Sequence, residues 1–301
     1  MTAPAEVEAR LRAHAWTLCR TIGERTILRG LRDAERAIHE ALDETGLPVE
    51  HQGYSWCGVR VANLVAHAGP ATGRPLIVGA HYDTVRGTEG ADDNASAVCV
   101  LLELAHRLAR HPPSVPVRLV AFTLEEGPAF GTPKQGSRVF VRHLRESGVR
   151  PRGAIVLEMV GYTAERQGYP GPIRYAGYPG TGDFLAIVGN LRSWCFMRTT
   201  ARGFRRNRAL PVETLTVPLS GWPLPDIRRS DHVSFWDVGW PAVMATDTSF
   251  FRNPHYHTAG DRYETLDFAF MANVAEGAEL AVRAAGERVS ARAPGRDPES
   301  A

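Results

Sequence analysis

Two kinds of apolar spacing divide this chain. From Ala5 to Glu44 apolar residues recur with helical period, as in Ile27, Leu28, Leu31, Ala34, Ile38 and Leu42. This predicts two helices, broken near Gly23 and ended by Gly46, Leu47 and Pro48. Val49 to Tyr54 and Val59 to Ala66 are short β-type runs around a polar turn, which predicts an antiparallel pair. Predominantly apolar runs follow at Pro75 to Ala80, Val117 to Leu124, Gly153 to Leu157 and Val243 to Thr246. Such runs are expected of parallel strands covered on both faces. Between them Val98, Leu101, Leu102, Ala105 and Leu108 keep helical spacing, with Asn94 and Ser96 as expected caps. Further helices are predicted at Ser137 to Ser147, at Ser230 to Trp236 with Ser230 as cap, and at Leu266 to Val289. Phe184 to Val188 fits a strand or a helix start, and Tyr162 to Pro179, rich in Gly, Pro and Tyr, reads as an irregular excursion. Thr199 to Arg229 shows no clear period. Strands alternating with helices predict a three-layer α/β/α sandwich with a mixed, centrally parallel sheet. Without a repeat or linker, residues 1–290 read as a single domain, and 291–301 have the Pro, Gly and charge content of a disordered tail.

Composition narrows the partners. The 301 residues are 44% hydrophobic, ordinary for a folded chain. A net charge of +2 is too mild to indicate a nucleic acid or an anionic membrane. Basic residues are almost all arginine, Lys134 being the one lysine, and this bias runs along the whole chain. Cys19, Cys57, Cys99 and Cys195 lie too far apart for a paired metal or redox motif. No run approaches the ~20 apolar residues of a membrane span, and the first thirty residues hold no uninterrupted apolar core for secretion. A cytoplasmic protein is expected, its oligomeric state open.

The chemistry collects after the predicted buried strands. His81 and Asp83 follow the first, with Asp92 and Asp93 beyond them; Glu125 and Glu126 follow the second, Glu158 the third, and His255 and His257 the last. In an open α/β sheet the carboxyl ends of the strands are where ligands bind. Each acid alone fits a solvated strand end or a cap. Together, two histidines and three carboxylates suit a pair of borderline divalent ions, one carboxylate bridging. Two dications against three carboxylates leave +1, which a bridging hydroxide would neutralise. One acid then remains for proton transfer, and in an extended segment Glu125 and Glu126 point to opposite sides.

With the motifs AHYDTV, GADDNASA, a strand ending LEE, LEMVGY and PHYHT, the chain resembles the co-catalytic zinc aminopeptidase family from about residue 60 to 270. That family also includes glutamate carboxypeptidase II and the glutaminyl cyclases. The resemblance implies that His81, Asp93 and Glu158 bind one metal and that Asp93, Glu126 and His257 bind the other, most simply Zn2+, with Co2+ or Mn2+ as alternatives. It implies Glu125 as general base and acid, Asp83 as the carboxylate orienting the His81 imidazole, and Tyr256 either as a hydroxyl on the tetrahedral intermediate or as a packing residue. Many members carry aspartate where this chain has Glu158. His255 is a second candidate beside His257, and is read as a loop or substrate-side residue. Asp92 reads as a turn or cap acid. Ser230, Asp231 and His232 also match a family motif, and adjacent residues cannot form a nucleophilic triad among themselves. The interval from Glu158 to His257 must supply the last sheet strands, which leaves little room for the dimerisation domain of a related two-metal peptidase family. The implied function is an exopeptidase, most simply an aminopeptidase on short peptides. A carboxypeptidase would aim arginines, such as those at Arg198 to Arg208 or Arg228 to Arg229, at a carboxylate. A single-zinc glutaminyl cyclase is the other reaction class.

Overall fold

In the computed structural model, which describes residues 4–290, eight strands form one sheet. They are β1 (Val49–Trp56), β2 (Val59–Ala68), β3 (Leu76–His81), β4 (Val117–Phe122), β5 (Gly153–Glu158), β6 (Leu185–Asn190), β7 (Val212–Val217) and β8 (Ala242–Thr246). Their order is β1-β2-β4-β3-β5-β8-β6-β7. The centre, β4, β3, β5 and β8, is parallel, while β1, β2 and β6 pair antiparallel with β2, β4 and β8 respectively. The sheet is therefore mixed, with a parallel centre.

Strand residues alternate between the two faces, and each face has its own core. On one, Leu64, Leu76, Val78, Leu119, Ile155, Val243 and Ala245 pack with five helices. These are α1 (Pro4–Trp16), α2 (Leu31–Asp43), α3 (Ala97–Arg110), α5 (Trp194–Phe204) and α7 (Phe268–Ser290). On the other, Val65, Ile77, Val120, Phe122, Val156 and Met244 meet α4 (Gly136–Glu146) and α6 (His232–Asp237) through Phe140, Leu144, Phe235 and Trp236. The α/β sandwich follows from central strands that are buried at almost every position and mostly apolar, so that both faces must be covered.

The region without a clear period in sequence contains the second half of α5 and all of β7. Edge strand β7 buries only its two terminal residues, Val212 and Val217, so its apolar signal is weak. Phe184 to Val188 resolves as a strand. The predicted tail, 291–301, lies outside the described residues. Among those residues no helix is long and apolar enough to cross a membrane.

Candidate metal and catalytic site

Because β3, β4, β5 and β8 are parallel, their carboxyl ends share one edge. His81 and Glu158 are the last residues of β3 and β5. Strand β4 stops at Phe122, short of the expected Leu124, so Glu125 and Glu126 stand in the turn beyond it. Asp93 comes from the irregular helical turn Ala91–Ser96 that precedes α3, and His257 from the loop between β8 and α7.

Two triads of donor atoms assemble there and share Asp93. His81, Asp93 and Glu158 form one, and Asp93, Glu126 and His257 the other, with the donor atoms of each within 4.8 Å of one another. His81 Nε2 lies 3.3 Å from Asp93 Oδ1 and 3.5 Å from Glu158 Oε1. His257 Nε2 lies 3.1 Å from Asp93 Oδ2 and 3.2 Å from Glu126 Oε1. Asp93 therefore turns one oxygen to each histidine. His81 Nε2 is buried and makes no hydrogen bond, a state expected of a donor reserved for an ion. Imidazole and carboxylate donors in this number fit zinc or a similar borderline dication.

The electrostatics show how much positive charge the site calls for. Burial alone would lower the pKa of His81, yet Glu158, Asp83, Asp93 and Glu125 hold it well above the ordinary imidazole range. His257 is likewise raised, to about 9, against its burial, by hydrogen bonds to Asp93 and Glu126. Burial and the neighbouring Asp93 push Glu126 up to about 7. Burial would also raise Asp93, but the two imidazoles take it below the carboxylate range. The carboxylates thus call for positive charge at the two imidazoles, which a bound dication would supply in place of protons.

Glu125 belongs to neither triad. Its Oε2 is 4.0 Å from His81 Nε2, and its buried Oε1 has no partner. Burial, with Glu126 as a further contributor, pushes its pKa well above the ordinary carboxylate value. Asp83 does more than face the imidazole. Its Oδ1 is 3.5 Å from His81 Nδ1, while its two oxygens accept hydrogen bonds from the backbone N–H groups of Glu125 and Glu126 at 3.0 and 2.9 Å. One carboxylate thus sets the turn that sends the paired glutamates to separate places. Leu124, Met159 and His257 all have positive φ, at 56°, 48° and 58°. Non-glycine residues in this region are strained, and such strain gathers at functional sites.

Several residues read from sequence as caps serve the site instead. Asn94 donates to Leu157 O and accepts from Met159 N, while Ser96 accepts from Val160 N, so both tie the end of β5 to the Asp93 turn. Asp92 is a buried tie, its oxygens accepting from Gly161 N and Asn253 Nδ2. Ser230 does not cap α6; its hydroxyl donates to Glu158 Oε2 at 2.6 Å. Asp231 accepts from Gln135, and burial lowers His232 to about 3 against the Trp236 ring, so the three form no triad. His255 stacks edge-on with Tyr162 and belongs to neither donor group. Tyr256 lies flat on His257, ring centroids 3.7 Å apart.

Nothing in the sequence marked Arg25. It is fully buried, and its guanidinium donates only to carbonyl oxygens, those of Tyr82, Leu18, Gly23, Glu89 and Gly90. The loop between His81 and Asp93 is thereby fastened to the N-terminal segment. Within it Gly90 has φ +54°, and a Cβ there would strike Thr84 and the Asp93 carbonyl. Arg25→Met should destabilise the fold by at least about 3 kcal/mol, since each buried carbonyl left without a donor costs about 1–3 kcal/mol. Urea unfolding measures this, and a loss below about 1 kcal/mol would contradict the clamp.

Comparison with known proteins agrees with this architecture. The model of peptidase family M28 matches residues 63–282. YfbL of Escherichia coli, itself uncharacterised, is 38% identical over 252 residues, covering 80% of this chain and 76% of its own. Aminopeptidase YwaD of Bacillus subtilis is 35% identical over 64% of this chain, which spans only 36% of that protein. Among solved structures, LapB of Legionella pneumophila superposes with TM-score 0.71 at 19% identity, over 93% of this chain and 72% of LapB. The glutaminyl cyclase of Tannerella forsythia gives TM-score 0.65 at 17% identity, over 93% of this chain and 98% of the cyclase. Identities this low speak for the fold alone, but the sequence match across residues 63–282 goes further, and the protein belongs to peptidase family M28.

Proposed function

We propose that this protein is a zinc-dependent aminopeptidase that removes the first residue of short peptides. The observation that carries the reading is the pair of donor triads joined through Asp93. His81, Asp93 and Glu158 would hold one ion, and Asp93, Glu126 and His257 the other. When bound, such ions supply Lewis-acid polarisation and acidify water. Glu125 Oε1, buried and free of other partners, takes the proton of the attacking water and returns it to the leaving amine nitrogen. Asp83 holds that glutamate in place through the backbone, and the Tyr256 hydroxyl faces the scissile carbonyl oxygen.

Beside Glu158 and Tyr256 opens a cleft with largely apolar walls. Ile173, Phe184, Val188, Leu215, Met244 and Phe251 line it. An apolar side chain on the first residue suits these walls. The aminopeptidase YwaD among the relatives supports the same reading.

The test is hydrolysis of leucine-initiated peptides, free, N-blocked or C-blocked, by the zinc-loaded protein. Peptides with a free amino terminus should be cleaved, and cleavage restricted to N-blocked peptides would overturn the assignment. Dialysis against a chelator should abolish turnover, and zinc, cobalt or manganese should restore it. Activity that survives chelation would sink the metal mechanism. The near full-length overlap with the T. forsythia cyclase makes a glutamine-initiated peptide the second substrate to try. Loss of ammonia without cleavage would assign the cyclase reaction instead.

A further inference from the structure

The arginines that cluster in sequence separate in space. Arg205 donates to Val212 O, and Arg206 pairs with Glu287. Arg228 is bound to Asp237 at 2.7 Å and lies over the Trp222 ring. Arg229 differs from all of these. It is exposed on the wall of the cleft that also contains Glu158 and Tyr256, and its Nη2 donates to the Tyr256 hydroxyl at 3.1 Å. Among the described residues no carboxylate comes within 4.0 Å of it, although Glu213 and Asp226 line the same cleft. Its guanidinium is steadied over the Phe250 and Tyr256 rings, 5.5 and 5.6 Å from their centroids. The following residue, Ser230, grips Glu158. An unpaired guanidinium is thus held beside the reacting centre, with donors to spare.

We propose that Arg229 binds the α-carboxylate of the residue following the scissile bond, so that free dipeptides are the preferred substrate class. This rests on the aminopeptidase reading above. In a dipeptide that carboxylate is separated from the scissile nitrogen by a single carbon. A cation one hydrogen bond from the Tyr256 hydroxyl is placed to meet it when the hydroxyl faces the scissile carbonyl. In a longer or amidated peptide the same position carries a neutral amide, which offers the fork no charge.

The experiment compares leucyl-alanine with leucyl-alanine amide, using zinc-loaded wild-type protein and Arg229→Gln. Wild type should favour the free acid in kcat/KM by roughly 10- to 100-fold, the usual worth of one charge-assisted bond. Arg229→Gln should bring that ratio close to one, chiefly through KM for the free acid. A wild-type ratio near one overturns the proposal. So does a variant in which both substrates slow together at unchanged ratio, since Arg229 would then serve only to position Tyr256. Failure of wild type to cleave either substrate removes the aminopeptidase reading itself, an outcome distinct from cleavage of both without preference.

Discussion

Glu125→Gln is expected to lower peptide turnover about 100- to 10,000-fold while the metal content of the protein stays at the wild-type level. The amide preserves the shape of a side chain whose backbone N–H is fixed by Asp83, but it cannot accept and return a proton. General acid and base catalysis is commonly worth a factor of that size. Glu125 is 4.0 Å from His81 and outside both donor triads, so its loss should leave the ions in place. Glu126→Ala is the contrast. It removes an oxygen 3.2 Å from His257 Nε2 and should lose metal together with activity. Metal analysis and peptide hydrolysis on both variants separate the roles. If Glu125→Gln turned over at the wild-type rate, or lost its metal as Glu126→Ala should, the division of labour between the adjacent acids would be wrong.

The placement of these acids is partly readable from the sequence. Apolar runs ending in His81, Glu158 and the Glu125-Glu126 pair could be placed on one edge, because parallel strands covered twice have a plain sequence signal and their ends bind ligands. The reason the two glutamates diverge was not readable. An extended segment would send them to opposite sides, whereas the chain has left the strand at Phe122 and turns through Leu124 under the hold of Asp83. Asn94, Ser96 and Ser230 show the same limit. Their short polar side chains bond readily to nearby backbone, which is the basis of the cap expectation. Their actual partners, at the end of β5, are fixed by tertiary packing and lie more than sixty residues away along the chain. Arg25 is harder still, since a guanidinium satisfied only by carbonyl oxygens leaves no complementary residue in the sequence to look for.

Asp93→Asn should weaken both metal positions at once, a result no other single substitution in the site is expected to give. The carboxylate presents Oδ1 toward His81 and Oδ2 toward His257. An asparagine of the same shape offers one oxygen and one N–H₂ group, so at most one side keeps an acceptor and the shared negative charge is gone from both. Loss of a partner outside the ligand set already costs metal affinity about 10- to 100-fold, and loss of the shared ligand should exceed that at each position. Two measurements carry the test. Zinc content after dialysis at equal free zinc should fall below that of Glu126→Ala, which leaves the His81 triad whole. Thermal unfolding with and without zinc gives the second, because an ion held only by the folded state stabilises it by about 2.7 kcal/mol at one hundred times its dissociation constant. That zinc-dependent increment should largely vanish in Asp93→Asn, while the metal-free variant still unfolds cooperatively. A variant that retained the full increment, or kept one position at wild-type affinity, would show that Asp93 does not join the two sites.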